Sequence, residues 1–538
     1  MSTSNVVSFA GGTALLLLVA ACAFVAVLRL GPPAAAPVET SEAEFSSGRA
    51  MHHLRIIARG PRPVGSQGHA EARAYIAQEL TRLGLSPEVQ TTPVVNNVVA
   101  RLAGSGRSGK AILLVGHYDT VADSPGASDD GSAVAVILET LRALKAGGAL
   151  NNDVIALFSD GEEAGLFGAK AFTHGHPWAK GVGLVLNFEA RGSGGPAVMF
   201  ETSGASGGLV RHLAAAAPRP VAYSLSDELY RLMPHDTDLS VFKAAGLPGL
   251  NFAFIKHGAA HYHGPLDNLE NIDERSVQHQ GTYALGLARH FGNLSLDNLR
   301  EPDAVYFNLF GSKLVVYSER WVVPVAATAA ALAAVAGLVG WRAKRLTLAG
   351  VGKGLAAVPL SVLVAVLGVA LAGWLSGRLY GRAESAAAGD AAMLIQATAA
   401  VVAAFAFYCW CSRKVGGANL LFGGLAWWLA LLLLTSLFWP GASYLFAWPL
   451  LPGLLSVALG LGATGAKVNA GGQLLLLALG ALAGAALFAP VVYLTLMAFK
   501  PGSTAAVLGL ALPAALVLVL LAPYLPQPGL ARPRRALN

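Results

Sequence analysis

Two histidines and a series of carboxylates recur between positions 117 and 263, each in a short polar motif that closes an apolar run. They are His117 and Asp119 in LLVGHYDT, Asp129 in SPGASDDGS, Glu162 and Glu163 in SDGEEAG, Glu189 in LNFEA, and His263 in AHYHGPLDN. A mixed imidazole and carboxylate set suits Zn²⁺, and one carboxylate can be shared between two such ions. Metal-assisted hydrolysis also needs an unligated base to take a proton from the metal-bound water. The adjacent pair Glu162–Glu163 can supply one ligand and one base.

The elements that must position these residues follow from the pattern around them. VVNNVVARL, AILLVGHYD, DVIALFSD, GLVLNFEA and GLNFAFI read as strands, with helical stretches such as SAVAVILETLRALKAG between them. Residues from about Thr40 to Leu85 read as two helices around the loop GPRPVGSQGH. Short apolar strands alternating with helices predict an α/β domain whose central sheet is mostly parallel and flanked by helices on both faces. Ligands gather beyond the carboxyl ends of such strands, where these motifs fall. His117 and Asp119, two positions apart, point to one side, so Asp119 is expected to accept the second ring N–H of His117.

Blander readings stand beside each residue. His117 could be a chance loop histidine, Asp129 and Asp130 could cap the following helix, and Glu162–Glu163 could be a solvated charge pair. Glu189 is harder to dismiss, because a charge ending an apolar strand is costly to bury unless it is paired or metal-bound. His257 and His261 compete with His263 for the second imidazole.

Composition divides the chain. Of its 538 residues, 54% are hydrophobic and 13% charged, and the mean hydropathy is +0.54, which points to many membrane spans. Residues 1–30 carry an apolar run from Val6 to Leu28, expected as a transmembrane helix, and 31–44 read as a Pro/Ala-rich linker. A cleaved signal peptide and a lipoprotein site at Val19–Cys22 compete for the first run, without the basic residues that either usually carries. The polar domain occupies 45–315. Seven further spans are expected within 321–525, at about 321–340, 354–376, 391–411, 419–438, 443–463, 472–497 and 504–525, followed by a basic tail at 526–538. Trp321, Trp427, Trp428, Trp439 and Trp448 read as interfacial aromatic residues.

The clusters Arg342/Lys344/Arg345, Arg413/Lys414 and Arg532/Arg534/Arg535 fall on the same side as the N-terminus. The positive-inside rule makes that side cytoplasmic, against the votes of Arg378, Arg382 and Lys500. The polar domain is then extracytoplasmic. The formal net charge of +7 reads as this topology signal and not as a nucleic-acid footprint. The cysteines, Cys22, Cys409 and Cys411, lie in apolar runs, so the polar domain holds neither a disulfide nor a thiolate metal site. The Ala/Gly/Leu/Arg-heavy composition suggests a bacterial inner membrane with the domain in the periplasm; a eukaryotic endomembrane with a lumenal domain is the alternative.

HYD, PGASDD, GEE, NFEA and HYHGPLDN together resemble the metal and catalytic motifs of the M28 family of zinc exopeptidases, and GPRPVGSQGHAEARAYIAQEL resembles its N-terminal helix region. SPGASDD, HPWA and DTDLSVFKAAGLPGLNFAFI are similar to the membrane-embedded branch of endoplasmic reticulum metallopeptidase 1 and the fungal vacuolar membrane protease. The resemblance covers roughly residues 45–295 and implies two Zn²⁺ per domain. Asp129 would bridge them, His117 and Glu189 would complete one site, and Glu163 and His263 the other. Glu162 would be the general base and Asp119 the partner of His117. MPHDTD resembles a segment lining the family's site, making His235 and Asp236 candidate pocket residues. Glu189 departs from the Asp that many members carry there.

The activity implied is hydrolysis of peptides with a free N-terminus, by a protein resident in the lipid bilayer. Three other readings are weighed: a glutaminyl-cyclase-like zinc acyltransferase, a non-catalytic receptor-type module that kept the fold, and a transporter tail with the domain as accessory. The third is disfavoured because the proposed spans hold almost no interior ionisable residues.

Overall fold

The computed structural model describes residues 3–106, 109–311, 313–380, 386–462, 470–499 and 502–524. Arg382, Lys500 and the basic tail at 526–538 lie outside the described residues. The chain divides into two compact units, Leu28–Glu319 and the combination of Met1–Val27 with Arg320–Asn538.

The Leu28–Glu319 unit is built on a seven-stranded sheet: β1 (Glu88–Thr91), β2 (Asn96–Leu102), β3 (Ala111–His117), β4 (Asp153–Ser159), β5 (Val182–Ala190), β6 (Gly194–Thr202) and β7 (Gly249–Lys256). Their spatial order is β1-β2-β4-β3-β5-β7-β6. The centre, β4-β3-β5-β7, is parallel, as expected. The edge pairings β1–β2, β2–β4 and β6–β7 are antiparallel, so the sheet as a whole is mixed. The short connection between β1 and β2 permits only an antiparallel pair, because a parallel return needs a long crossover.

Helix α1 (Thr3–Leu28) opens the chain. The sheet is covered by α2 (Ser47–Ile57), α3 (Gln67–Arg82), α4 (Gly131–Ala146), α5 (Phe167–Gly175), α6 (Gly207–Ala216), α7 (Ser224–Tyr230), α8 (Asp238–Ala244), α9 (Gly258–His261) and α10 (Glu274–Gly292). Alternation along the strands divides the core in two. Ile112, Leu114, Val154, Ala156, Leu184 and Leu186 face one layer, with residues of α2, α3, α4 and α10. Leu113, Val115, Ile155, Leu157 and Val185 face the other, with Phe172 of α5 and Leu239 and Phe242 of α8. Central strands buried on both faces explain why their sequences read as continuous apolar runs.

Residues 31–44, expected as a linker, are bonded onto this unit. The Ser46 hydroxyl donates to the carbonyls of Ala36 and Pro37. The Arg49 guanidinium donates to the carbonyls of Val38, Thr40 and Glu44 and to the buried carboxylate of Glu139. Arg142 shares Glu139 and donates to Glu42 and Glu44. At the other end, β8 (Ala304–Leu309) and β9 (Lys313–Ser318) form a separate antiparallel pair. Gly311, between them, has φ +65°, and the Arg29 backbone passes so close that a Cβ there would overlap its carbonyl.

The second unit follows with α11 (Val322–Arg342), α12 (Leu348–Tyr380), α13 (Ala386–Val415), α14 (Gly417–Phe438), α15 (Tyr444–Gly462), α16 (Ala470–Ala498) and α17 (Thr504–Val519). Among the described residues five stretches are long and apolar enough to cross a membrane: Glu319–Arg342, Leu348–Arg378, Gly389–Val415, Gly417–Phe438 and Leu475–Ala498. The apolar stretches Ala14–Leu28, Tyr444–Leu459 and Thr504–Val519 are shorter. Gly423 lies against the Gly354 backbone with no room for a Cβ, the close helix approach that small residues permit. Trp428 departs from its interfacial reading. It is fully buried and its indole N–H donates to the Leu516 carbonyl at 3.0 Å, which satisfies its polar atom inside the bundle.

Candidate metal centre

The carboxyl ends of β3, β4, β5 and β7 lie along one edge of the sheet. β3 and β5 are neighbours, and the chain leaves them in opposite directions, to β4 on one side and towards β7 on the other. Such a reversal leaves a crevice between the strand ends. His117 is the last residue of β3, Glu162 and Glu163 follow β4, Glu189 is near the end of β5, and His263 follows α9. Gly116 lets β3 approach α4: a Cβ there would lie 2.7 Å from the Ala133 methyl.

Asp129 stands between the two histidines. Its Oδ1 lies 3.1 Å from His117 Nε2 and its Oδ2 3.2 Å from His263 Nε2. His117 Nε2 is also 3.7 Å from Glu189 Oε2, and His263 Nε2 is 3.1 Å from Glu163 Oε1. Two ligand atoms each bound at 2.0–2.1 Å to a tetrahedral ion are separated by about 3.3 Å. The observed spacings, 3.1 and 3.7 Å on one side of Asp129 and 3.2 and 3.1 Å on the other, lie close to that value, so the donor set fits Zn²⁺. Asp130 also comes within 4.8 Å of His117 and Glu189, but its Oδ2 already accepts the His117 backbone N–H at 3.1 Å. Asp129 is the carboxylate whose two oxygens face both halves.

The charge balance points the same way. Burial draws His117 down, yet its bonds to Asp119 and Asp129 raise its pKa well above the ordinary value. For His263, burial is again outweighed by Asp129 and Glu163, which raise it to about 10. Burial raises Glu162 and Glu189 well above the usual carboxylate range, with neighbouring acids adding to the effect. Imidazoles that hold protons this tightly stand among carboxylates in need of positive charge, and a divalent cation can take the place of those protons.

Further residues hold the loops in place. His117 Nδ1 lies 3.1 Å from the Asp119 carbonyl oxygen and 3.5 Å from Oδ1, so the ring N–H faces both, with the main chain the nearer acceptor. The Asp119 carboxylate also accepts the backbone N–H groups of Glu162 and Glu163. Asp267 accepts those of Ser128 and Asp129, at 2.7 and 3.0 Å. Arg62, almost fully buried, donates to the carbonyls of Ile57, Tyr118, Pro125 and Gly126, bracketing the loop between His117 and Asp129. Asp160 accepts from the Asn96 N–H and lies 2.7 Å from His69 Nε2, whose ring stacks on Tyr118. Asp238 accepts from Ser159 Oγ, and burial raises its pKa to about 6.

The structure therefore brings together His117, Asp119, Asp129, Glu162, Glu163, Glu189 and His263. His235 and Asp236 stay outside the cluster as exposed residues; Asp238, two positions on, is the buried member of that segment. His261 Nδ1 is engaged with Ser193 Oγ at 2.7 Å. Arg62, Asp267, Asp160 and Asp238 were not singled out from sequence. Each lies inside a segment already marked by its pattern, Asp267 in HYHGPLDN, Asp160 in SDGEEAG, Asp238 in MPHDTD and Arg62 in GPRPVGSQGH, and that was the signal available.

Residues 97–288 match the sequence profile of Peptidase family M28, a metallopeptidase family, and the chain thus carries a Peptidase M28 domain. It is 33% identical over 234 residues to human endoplasmic reticulum metallopeptidase 1, covering 42% of this chain and 26% of that protein. Against the vacuolar membrane protease of Candida dubliniensis it is 36% identical over 219 residues, 40% of this chain and 23% of that one. The chain spans about a quarter of the length of these curated relatives. Among solved structures, an aminopeptidase from Aneurinibacillus sp. strain AM-1 superposes with a TM-score of 0.40 at 15% identity, covering 48% of this chain and 98% of that one. A glutaminyl cyclase from an Acidobacteriales bacterium superposes with a TM-score of 0.38 at 22% identity, over 48% and 98%.

Proposed function

We propose that the chain is a membrane-anchored zinc-dependent exopeptidase acting as an aminopeptidase on peptides with a free N-terminus. The observation that supports it is the placement of Asp129, with one oxygen towards His117 and Glu189 and the other towards His263 and Glu163. In this reading His117, Asp129 and Glu189 would hold one Zn²⁺, and Asp129, Glu163 and His263 a second. Bound zinc would lower the pKa of a water towards neutrality and polarise the scissile carbonyl.

Glu162 takes the proton of the attacking water and returns it to the leaving amine. Burial, first among the causes, raises its pKa, the direction that makes its carboxylate a stronger base. Asp119 holds Glu162 and Glu163 through their backbone N–H groups, so base and ligand keep a fixed spacing. We place the domain on the extracytoplasmic side, on the strength of Arg342/Lys344/Arg345 and Arg413/Lys414 as cytoplasmic clusters. The two relatives are named for endomembranes of eukaryotes, and lend nothing to a periplasmic placement over a lumenal one.

The test uses the full chain in detergent micelles, with zinc content and hydrolysis of a panel of aminoacyl-p-nitroanilides measured for the parent and Glu162→Gln. Two zinc ions in both proteins, with turnover falling about 10²–10⁴-fold in the variant, is the expected result. Bound zinc with cyclisation of N-terminal glutamine peptides and no hydrolysis would replace the peptidase by a cyclase. Zinc without either reaction would leave a receptor-type module, and a folded protein without zinc would refute the ligand set.

A further inference from the structure

Arg191 lies two residues beyond Glu189 and continues the β5–β7 ladder, its backbone N–H donating to the Phe254 carbonyl at 3.0 Å. Side chains two apart on a strand share a face, with Cα atoms about 7 Å apart, so Arg191 extends from the same side as Glu189. Its Cζ sits 5.5 Å from the centre of the Tyr262 ring. That ring in turn stacks on the imidazole of His263, with centroids 3.7 Å apart and planes 20° from parallel. Gly258 fixes the spacing, because it packs on the Arg191 carbonyl with no room for a Cβ. Arg191 therefore stands one aromatic ring away from the candidate ligand His263.

Arg191 is half-buried, and its guanidinium lies over the Tyr262 ring. A carboxylate-rich centre lies beside it, yet no hydrogen bond or ion pair joins Arg191 to any of those acids. A guanidinium carries a planar fork of N–H donors matched to a carboxylate, and withdrawing it from water without acceptors is unfavourable. The ring holds the charge in place while leaving the donors along its edge available. Beyond it lies the exposed rim segment with His235, whose pKa is lowered by burial and then by the Arg191 charge.

We propose that Arg191, braced on Tyr262, is a subsite for a substrate carboxylate placed one or two residues beyond the scissile bond. An extended peptide advances about 3.3–3.6 Å per residue, which matches the offset of Arg191 from Glu189. Two sources present this chemistry: the C-terminus of a di- or tripeptide, and an acidic side chain following the cleaved residue. The proposal rests on the peptidase reading for the word substrate, and it deepens that reading by naming what the site selects.

Binding separates the two. The full chain in micelles, zinc-loaded and carrying Glu162→Gln so that nothing is consumed, is titrated calorimetrically with Leu-Gly, Leu-Gly-amide and Leu-Asp-amide. We expect Leu-Gly, Leu-Asp-amide or both to bind at least about tenfold tighter than Leu-Gly-amide. Preference for Leu-Gly identifies the C-terminus, and preference for Leu-Asp-amide the side chain. Adding Arg191→Gln should collapse the preference, and Arg191→Lys, which keeps the charge without the fork, should retain part of it. Equal binding of all three peptides, or a preference that survives Arg191→Gln, overturns the subsite. An active aminopeptidase indifferent to carboxylates would sink this proposal alone. Selective binding without hydrolysis in the parent would sink the peptidase and leave the carboxylate subsite standing.

Discussion

Asp119 Oδ1 accepts the backbone N–H of Glu162 at 3.1 Å, across 43 positions of sequence. The second oxygen takes the N–H of Glu163 at 3.2 Å. One carboxylate thus fixes the loop that carries both a candidate ligand and the candidate base, while its own carbonyl orients His117. Asp119→Asn puts an amide donor against one of those N–H groups. Zinc affinity should fall about 10–100-fold, the usual cost of losing a group that orients metal ligands. Competition against a chromophoric chelator measures it; an unchanged affinity would mean that the loop holds itself.

Arg62 should matter for stability before it matters for chemistry. Its guanidinium is the donor for four main-chain carbonyls around the loop that runs from His117 to Asp129. Each buried carbonyl left without a donor costs about 1–3 kcal/mol, so Arg62→Met is expected to lose at least about 3 kcal/mol. The readout is a lower melting temperature of the metal-free protein in micelles. Arg62→Lys should recover only part, since one ammonium cannot reach every carbonyl. A melting temperature equal to the parent's would remove Arg62 from this role.

Acid sensitivity should come in part from a histidine that is not among the candidate ligands. His279 accepts the Ala197 N–H on Nδ1 at 3.1 Å and donates from Nε2 to the Arg219 carbonyl at 3.2 Å, so its neutral form is the one bonded. Burial lowers its pKa to about 4 from 6.5. The unfolded chain takes up this proton first on acidification. The contribution is therefore complete above pH 6.5 and is lost as pH falls towards about 4, up to about 3 kcal/mol in all. Melting temperature against pH should fall less steeply over that window in His279→Gln than in the parent. Parallel curves would contradict the assignment.

Much of the polar domain was legible because its signals are local. Apolar runs ending in HYD, GEE and NFEA mark strand ends, and a parallel sheet sets strand ends side by side. The antiparallel edges were not legible, since nothing in EVQT or GGPAVMFET distinguishes an edge strand by direction. His117, Asp129 and His263 could be grouped as ligands by residue type. The supports could not: Arg62 reads as one basic residue in a Pro/Gly loop, and its value depends on carbonyls up to 64 positions away. Strand spacing brought the Asp119 carboxylate beside the His117 ring, but it could not show that the main-chain oxygen of the same residue lies nearer. Trp428 likewise reads as a membrane-surface aromatic until its partner at Leu516 is seen.

The contact between Arg29 and Gly311 has a geometric corollary. A unit whose first and last segments touch returns its chain to where it entered, so lengthening any loop between them leaves the separation of its two ends unchanged.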